Sequence, residues 1–212
     1  MMSDRFEIHQ CSNPQCDLRF PLDPHTHAGL YCPRCGSPTK SVIGAGQQFF
    51  PAAPEKHSQR VLSCLLDNIR SALNVGSAFR TANGAGLAHI YLCGITPTPE
   101  NSDRIAKTAL GADISTPWSY HPNALRLADQ LKSSATRLVA LECTPKAISL
   151  FDFVISPTDL RPLTLVVGSE LAGVDPGLLD LCEDTLFIPM YGTKGSLNAS
   201  VALGIALYWL IH

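Results

Sequence analysis

The chain has 212 residues, of which 45% are hydrophobic and 16% are charged. This length allows one or two compact domains with a buried core, which excludes a disordered chain and a peptide hormone. The formal net charge of −2 means that any nucleic-acid binding requires a local basic patch. No hydrophobic run reaches the roughly 18 residues that span a bilayer, and the first residues lack the hydrophobic segment of a secretory signal. We therefore expect a cytoplasmic protein.

The eight cysteines fall into two groups. Four lie within residues 11–35, and four are single residues among apolar neighbours: Cys64, Cys93, Cys143 and Cys182. In a reducing compartment, metal ligation or burial is expected in place of disulfides. The sequence therefore predicts that the first group binds a metal and that the second lies in the core.

The segment from Cys32 to Gly36 is typical of a zinc knuckle, because two thiolates three positions apart reach one ion and the glycine relieves the turn. Cys11 and Cys16 complete a four-thiolate set. We predict a structural zinc ribbon over residues 1–40, with no open position for catalysis. Two alternatives stay open: a histidine replaces one thiolate, or the cysteines form an unligated core. The candidate histidines are His25 and His27.

Three basic residues of this module are candidate contacts to a nucleic acid or a protein: Arg19, Arg34 and Lys40. Ordinary solvated surface charge explains them equally well.

Residues 41–58 are rich in Gly, Ala and Pro, which predicts a linker. Residues 59–212 are numerous enough to fold as a domain. Within them, Leu-rich or β-branched runs alternate with helical patterns. Strands are predicted at 61–67, 89–94, 137–143, 163–169 and 185–190, and helices at about 75–86, 102–109, 123–132, 176–182 and 197–211. This order predicts an α/β fold with a parallel sheet covered by helices on both faces.

Polar residues follow the predicted strands in three segments, at the sheet edge where ligands bind in open parallel sheets. The first segment contains Asn74 and Arg80. Asn74 is placed to cap the following helix, and Arg80 lies about 600° further around it, which directs the two side chains apart in a regular helix. A helix cap and a surface side chain are therefore the structural alternatives to a functional role.

The second segment contains Gly168, Glu170 and Gly173, at the point where a strand runs directly into a turn. The glycines permit close approach of the backbone to a ligand. Glu170 is placed to cap a helix, to face solvent or to hold a cation such as Arg80. The third segment, 188–202, is a Gly-rich loop that enters a helix, whose first N–H groups are free to bind a carboxylate, carbonyl or phosphate.

Together the three segments resemble the motifs of SpoU/TrmH-type RNA 2′-O-ribose methyltransferases of the SPOUT class. Asn74 followed by Arg-Thr-Ala at 80–82 resembles the first motif, and Gly168-Ser-Glu170 with Gly173 resembles the second. Ile-Pro-Met at 188–190 and Ser-Leu-Asn-Ala-Ser-Val-Ala at 196–202 resemble the third. The resemblance covers about residues 61–211 and includes the less diagnostic segment 107–112.

This resemblance implies that the carboxyl-terminal part of the sheet forms a deep trefoil knot, an exception to the usual absence of threading. It also implies binding of S-adenosylmethionine, a transfer or ribosomal RNA substrate, and a homodimer whose interface includes Tyr208 and Trp209. By position, the cofactor contacts fall on Leu141, Gly168, Ile188, Met190, Ser196, Leu197 and Asn198.

For catalysis, the resemblance implies roles for Arg80 in activating the 2′-hydroxyl and for Asn74 in forming the site. We add three residues that hold the surrounding geometry, Glu170, Ser196 and Asn198. Because an isolated guanidinium has a pKa above about 12, we expect Arg80 to position the phosphate and ribose and to polarise the hydroxyl.

Two other functions compete with this interpretation. One is a non-catalytic RNA-binding protein on the same fold, with the zinc ribbon as its main contact. The other is a dinucleotide-dependent oxidoreductase, which is disfavoured because residues 84–89, Gly-Ala-Gly-Leu-Ala-His, supply only the first two glycines of the expected fingerprint.

Overall fold

The computed structural model describes residues 6–43 and 60–211. They form two compact units, and the boundary between the units falls in the stretch that separates these two ranges. The predicted linker, 41–58, lies outside the described residues except for 41–43, which belong to a strand.

The first unit is a three-stranded antiparallel sheet that carries the amino-terminal cysteines. Its strands are β1 (Glu7–Cys11), β2 (Arg19–Leu22) and β3 (Thr39–Ile43), in the order β2-β1-β3. One face packs around the buried His9, whose ring lies 6.2 Å from that of Phe20. Few side chains are buried here, as expected for a module of this size.

The second unit is built on a seven-stranded parallel sheet with the order β6-β5-β4-β9-β7-β10-β8. Its strands are β4 (Leu62–Asp67), β5 (His89–Cys93), β6 (Trp118–His121), β7 (Arg137–Leu141), β8 (Ile148–Ser149), β9 (Leu163–Val167) and β10 (Asp184–Phe187). Its helices are α1 (Ala72–Gly84), α2 (Ala106–Ala109), α3 (Ala112–Ser115), α4 (Ala124–Ser133), α5 (Pro176–Leu181) and α6 (Ala199–Ile211).

Helices cover both faces of this sheet, as the sequence predicts. On one face, α1 contributes Phe79 and α6 contributes Leu203 to the larger hydrophobic cluster. On the other face, α4 contributes Leu127 and α5 contributes Leu178 to a second cluster. The central strands β4 and β9 are buried along their whole length. The prediction of an α/β fold with a parallel sheet is therefore confirmed. None of the described helices has the length and apolar character needed to span a membrane.

The fold differs from the prediction in several local features. The edge strands β6 and β8 were not expected, because their short sequences lack a continuous apolar run. Of the predicted helix 102–109, only α2 (Ala106–Ala109) is helical, and it ends where the chain turns through left-handed conformations at Leu110 and Gly111; the short helix α3 that follows was not predicted. α1 begins earlier than expected, and its cap is Ser71, whose hydroxyl accepts from the Asn74 amide. The expectation that Asn74 caps this helix is therefore wrong.

The predicted burial of the four scattered cysteines holds for three of them. Cys64 and Cys93 are buried, and the half-buried Cys182 packs against the second cluster. Cys143 is exposed, which contradicts the prediction. The reason is that β7 ends at Leu141, so that Cys143 lies in the loop beyond the sheet.

Candidate active site

A cavity of about 570 Å³ opens at the carboxyl edge of the sheet. Its floor is formed by the last residues of three strands, Leu141 of β7, Val167 of β9 and Phe187 of β10. The seven residues that the family resemblance assigns to the cofactor all line it: Leu141, Gly168, Ile188, Met190, Ser196, Leu197 and Asn198. Segments far apart in the sequence thus meet in one place, because parallel strands present their carboxyl ends at the same edge.

One wall of the cavity is a tight turn between Ser169 and Gly173. The two residues exchange backbone hydrogen bonds of 2.9 Å each, and Gly173 has a φ of 74° that favours glycine. A Cβ atom on Gly168 would collide with the backbone of Gly173. The Glu142 carboxylate accepts from the amides of Cys143 and Val174, at 2.9 Å each, and so ties the loop after β7 to this turn.

The rim of the cavity carries a hydrogen-bonded group of three side chains. Asn74 donates through Nδ2 to Glu170 Oε1 at 2.8 Å, and its Oδ1 accepts from Asn198 Nδ2 at 3.0 Å. Both Glu170 and Asn198 also line the cavity. The structure therefore brings one residue from each of the three sequence segments into direct contact.

Glu170 also binds the start of α1. Its carboxylate accepts from the amides of Arg70, at 3.0 Å, and Ser71, at 3.4 Å. Partial burial alone would raise the pKa of Glu170, but the hydrogen bonds from the Arg70 amide, Asn74 and the Ser71 amide outweigh it, and the pKa is lowered. Glu170 is therefore held as a carboxylate.

Asn198 caps the start of α6, as Ser71 caps the start of α1. Its Oδ1 accepts from the Ser200 amide at 2.9 Å and from the Ser200 hydroxyl at 2.7 Å, which caps the first turn of the helix. Ser196 lies two residues earlier, exposed at the cavity. The chain of contacts from Glu170 through Asn74 to Asn198 thus links the amino-terminal ends of two helices.

Arg80 is not part of this group. It is exposed on α1, it does not line the cavity, and it forms no ion pair within residues 6–43 and 60–211. Of the three alternatives for Glu170, the structure favours the helix cap over an ion pair with Arg80, because the Glu170 oxygens accept from the start of α1 and from Asn74. The regular helix keeps Asn74 and Arg80 on different sides, as their spacing predicts.

Several residues of the cavity were not singled out from the sequence. Glu142 follows β7, Phe187 ends β10 and Leu171 belongs to the turn after β9, whereas Cys143 was expected only in the core. The signal for Glu142 was present, since it is a carboxylate at the exit of a strand. Leu171, which is exposed, carried no such signal.

The four amino-terminal cysteines converge in the first unit. Their sulfur atoms lie within 4.8 Å of one another, with 3.5 Å between Cys11 and Cys35 and 3.8 Å between Cys16 and Cys32. Sulfur atoms in a tetrahedral zinc site lie about 3.8 Å apart, given Zn–S bonds of about 2.3 Å. The described histidines are not part of this cluster, so the alternative with His25 or His27 as a ligand finds no support.

The backbone around these cysteines also fits a metal site. Gly36 follows Cys35 with a φ of 72°, and Asp17 follows Cys16 with a φ of 45°. The hydroxyl and the amide of Ser37 donate to the Cys35 thiol and lower its pKa to about 6, whereas burial raises the pKa of Cys11 to about 12. A thiolate is thus already favoured at one of the four positions.

Comparisons with known proteins agree with the geometry. The model of the SpoU rRNA Methylase family matches residues 62–208. The chain is similar to a putative TrmH family tRNA/rRNA methyltransferase, YacO, of Bacillus subtilis, with 30% identity over 164 residues that cover 75% of this chain and 61% of that protein. It is also similar to a tRNA (guanosine(18)-2′-O)-methyltransferase of Aquifex aeolicus, with 28% identity over 154 residues that cover 71% of this chain and 68% of that protein.

Among solved structures, the fold resembles that of the SpoU methyltransferase AviRb from Streptomyces viridochromogenes in complex with the cofactor AdoMet. The TM-score is 0.63 at 24% identity, over 84% of this chain and 69% of that one. The chain spans about three fifths of the length of YacO. Because the family model matches well over half of the 212 residues, the chain belongs to the SpoU rRNA methylase family.

Proposed function

We propose that this protein transfers a methyl group from S-adenosylmethionine to a ribose 2′-hydroxyl of transfer or ribosomal RNA. The observation that carries the proposal is the cavity at the carboxyl edge of the sheet, lined by all seven residues that the family motifs assign to the cofactor. The names of YacO and of the Aquifex aeolicus enzyme support the substrate class. RNA of this kind would place the activity in the cytoplasm.

The residues of the cavity fit the proposed cofactor in size and chemistry. A volume of about 570 Å³ lies in the range of small-molecule sites. Leu141, Ile188 and Met190 offer apolar surface for a purine, and Gly168 lets the backbone of Gly173 pack directly against the end of β9 at the cavity wall. When bound, S-adenosylmethionine supplies an electrophilic methyl group on a positively charged sulfur.

The contribution of the side chains is to orient the substrate. A 2′-hydroxyl must lose its proton, yet Glu170 is a poor base because its pKa is lowered and its oxygens already accept hydrogen bonds. We assign Glu170, Asn74, Ser196 and Asn198 to holding the pocket in shape. Arg80 lies outside the cavity of its own chain, so we assign it to the substrate of the partner subunit across the dimer interface, where it fixes the phosphate and ribose and polarises the hydroxyl. The hydroxyl proton then leaves to water as the methyl group is transferred.

The homodimer is part of the proposal, and α6 is its interface. This helix exposes Val201, Tyr208 and Trp209, with 50%, 46% and 42% of their surfaces accessible. It also packs on α1 next to Arg80, because Thr81 lies beside Gly204 and Gly84 lies beside Tyr208. A dimer through α6 would bury this apolar stripe and bring Arg80 to the interface. Val201→Glu would then produce a monomer in sedimentation experiments.

We also propose the trefoil knot. Strand β10 lies between β7 and β8, which follow each other directly in the chain. The connection 142–147 between those two strands therefore crosses β10 near its carboxyl end, and in the proposed knot the segment 188–198 passes beneath it. This arrangement supports threading of the chain through the loop after β7.

For the first unit we propose a structural zinc ion bound by Cys11, Cys16, Cys32 and Cys35. The convergence of four sulfur atoms supports this assignment. Four protein ligands complete a tetrahedral site, so the ion would stabilise the fold and take no part in the reaction.

The test of the function uses the full-length protein. We expect titration calorimetry to detect binding of S-adenosylmethionine. We also expect tritiated methyl groups to be transferred to RNA and to be recovered as 2′-O-methyl nucleosides after nuclease digestion. RNA binding without cofactor binding or methyl incorporation would instead establish the non-catalytic alternative. The oxidoreductase alternative has little support, because Gly84 is the last residue of α1 and the Gly-x-Gly segment does not line the cavity.

The role of Arg80 is tested by Arg80→Lys, which keeps the charge and removes the planar fork. We expect methyl transfer to fall at least about tenfold, with unchanged cofactor binding, because a bidentate contact contributes on the order of 1.4 kcal/mol or more. Transfer close to the wild-type rate would show that bidentate positioning is not the role of Arg80.

A further inference from the structure

The three-stranded sheet of the first unit has two unlike faces. His9, Phe20 and Leu22 lie on one face, where Gly29 fits closely against His9 and Leu22. Gln10, the residue after His9 in β1, points to the other face, because successive side chains of a strand alternate. This second face is called the open ribbon face below, and it consists of Ile8, Gln10, Arg19, Pro21, Lys40 and Ile43.

The register of the sheet places two cations on the open ribbon face. Arg19 of β2 and Lys40 of β3 both lie directly opposite Gln10. Residues that lie opposite each other in an antiparallel sheet point to the same side. Arg19 and Lys40 are therefore side by side across three strands, about 10 Å apart at the backbone. Both are exposed, and neither forms an ion pair with any described residue.

Acidic residues weaken this positive charge only in part. The Glu7 side chain lies on the opposite face and contacts His9 Nε2 at 3.3 Å. Asp17 accepts a hydrogen bond from the Gln10 side-chain amide at 2.5 Å, so its carboxylate lies beside Gln10 on the open ribbon face and offsets one of the two positive charges. The next row of the face is apolar, since Ile8 lies opposite Pro21 and Ile43.

We propose that the open ribbon face binds the phosphate backbone of the RNA substrate, with Arg19 and Lys40 on two phosphates and the apolar row against the sugars. The identity of the partner rests on the proposed function. Two exposed cations on the edge strands β2 and β3, about 10 Å apart at the backbone, can each contact a phosphate of one RNA strand, and each contact releases condensed counterions. This assigns to Arg19 and Lys40 a role that Arg34, at the Cys32–Cys35 turn, does not share.

The experiment measures equilibrium RNA binding by the full-length, zinc-loaded protein over a range of salt concentrations. The test variant is Arg19→Gln with Lys40→Gln, and the matched control is Arg34→Gln with Lys132→Gln, which removes the same charge from exposed positions elsewhere. For the test pair we expect binding about tenfold weaker at low salt, and a salt dependence of log K that is shallower by about 1.4 for single-stranded contacts. The control pair should bind within about twofold of the wild type.

Zinc content and cofactor binding of both pairs should match the wild type, which shows that the variants fold. If RNA affinity falls equally in the two pairs, binding depends only on net charge. If RNA affinity does not fall in the test pair, RNA does not bind the open ribbon face. Either result overturns the proposal. Methylation assays separate this outcome from the proposed function. If the test pair methylates RNA with a raised KM and an unchanged kcat, both proposals are supported. If RNA binding falls only in the test pair but the wild type itself does not methylate RNA, the open ribbon face is supported and only the enzymatic function is rejected.

Discussion

The Asn74 side chain donates a 2.8 Å hydrogen bond to Glu170, although 96 residues separate them in the chain. The same amide group accepts from Asn198 on its other side. The contact joins the turn after β9 to the start of α1, and through Asn198 it reaches the start of α6. The shape of the cavity rim therefore depends on one small polar side chain.

Asn74→Ala removes this link. We expect the free energy of unfolding to fall by about 1 kcal/mol, as for an ordinary hydrogen bond, and methyl transfer to fall by at least about tenfold because Glu170 and Asn198 lose their common partner. Chemical denaturation and a tritium transfer assay measure the two effects. Asn83→Ala is the control, since Asn83 lies on the same helix and donates to the hydroxyls of Ser115 and Thr116. Equal losses of activity in both variants would trace the effect to α1 stability instead.

Gly168→Ala tests the close approach of the two backbone segments. Its added methyl group has no room beside Gly173, so the turn must shift, and we expect cofactor affinity to fall by at least about tenfold, which corresponds to 1.4 kcal/mol. Titration calorimetry measures the affinity. Gly192→Ala serves as the comparison, because a Cβ atom there has no neighbour within 4 Å. If both variants bind the cofactor as the wild type does, the turn at Gly168 is not part of the site.

The lowered pKa of Glu170 predicts a pH dependence of stability. A carboxyl group whose pKa is depressed in the folded state stabilises the protein above its unfolded pKa, here near 4.5, and this contribution is lost as the pH falls through the folded value. Glu170→Gln should therefore lower the free energy of unfolding at pH 7. The difference in this free energy between the variant and the wild type should shrink below about pH 4. Urea denaturation between pH 3 and 7 measures this, with the exposed Glu100→Gln as control. A difference that does not vary with pH would contradict this expectation.

Cys32→Ser tests the zinc site. With three thiolates left, we expect bound zinc to fall from one ion per chain to almost none after dialysis against a chelator, since a structural site needs its full ligand set. Elemental analysis measures the metal, and limited proteolysis should show cleavage within residues 6–43 while cofactor binding persists. Cys143→Ser, which changes an exposed cysteine outside the cluster, should retain the ion. Full zinc content in Cys32→Ser would rule out the four-thiolate assignment.

The core of the fold was predictable because its signals are local. The buried runs that become β4, β5, β7, β9 and β10 are rich in Leu and Val, and the helices between them follow from their apolar spacing. β6 was missed because Trp118 to His121 reads as polar, and it pairs only at the sheet edge. The break between α2 and α3 depends on a left-handed Leu110, a conformation that its side chain does not favour.

The residues that the resemblance assigns to the cofactor all line one cavity, but the contacts among the side chains at its rim could not be predicted. The family motifs named the residues that line the cavity, because each motif follows a strand of one parallel sheet. No spacing rule indicates that Glu170 pairs with the start of α1 and with Asn74, since that contact depends on how the turn after β9 folds back through Gly173. Likewise, Arg80 was grouped with these residues by motif, whereas its position on a regular helix keeps it outside the cavity.

The insertion of β10 between β7 and β8 also constrains how the molecule is assembled. The sheet cannot grow strand by strand in the order of synthesis, because a gap between two early strands must be filled by a later one, and such non-local pairing slows folding. Phe187, at the end of that late strand, forms part of the cavity floor. Ligand affinity is therefore a property of the completed sheet alone, and during refolding its recovery should lag behind the recovery of helical signal.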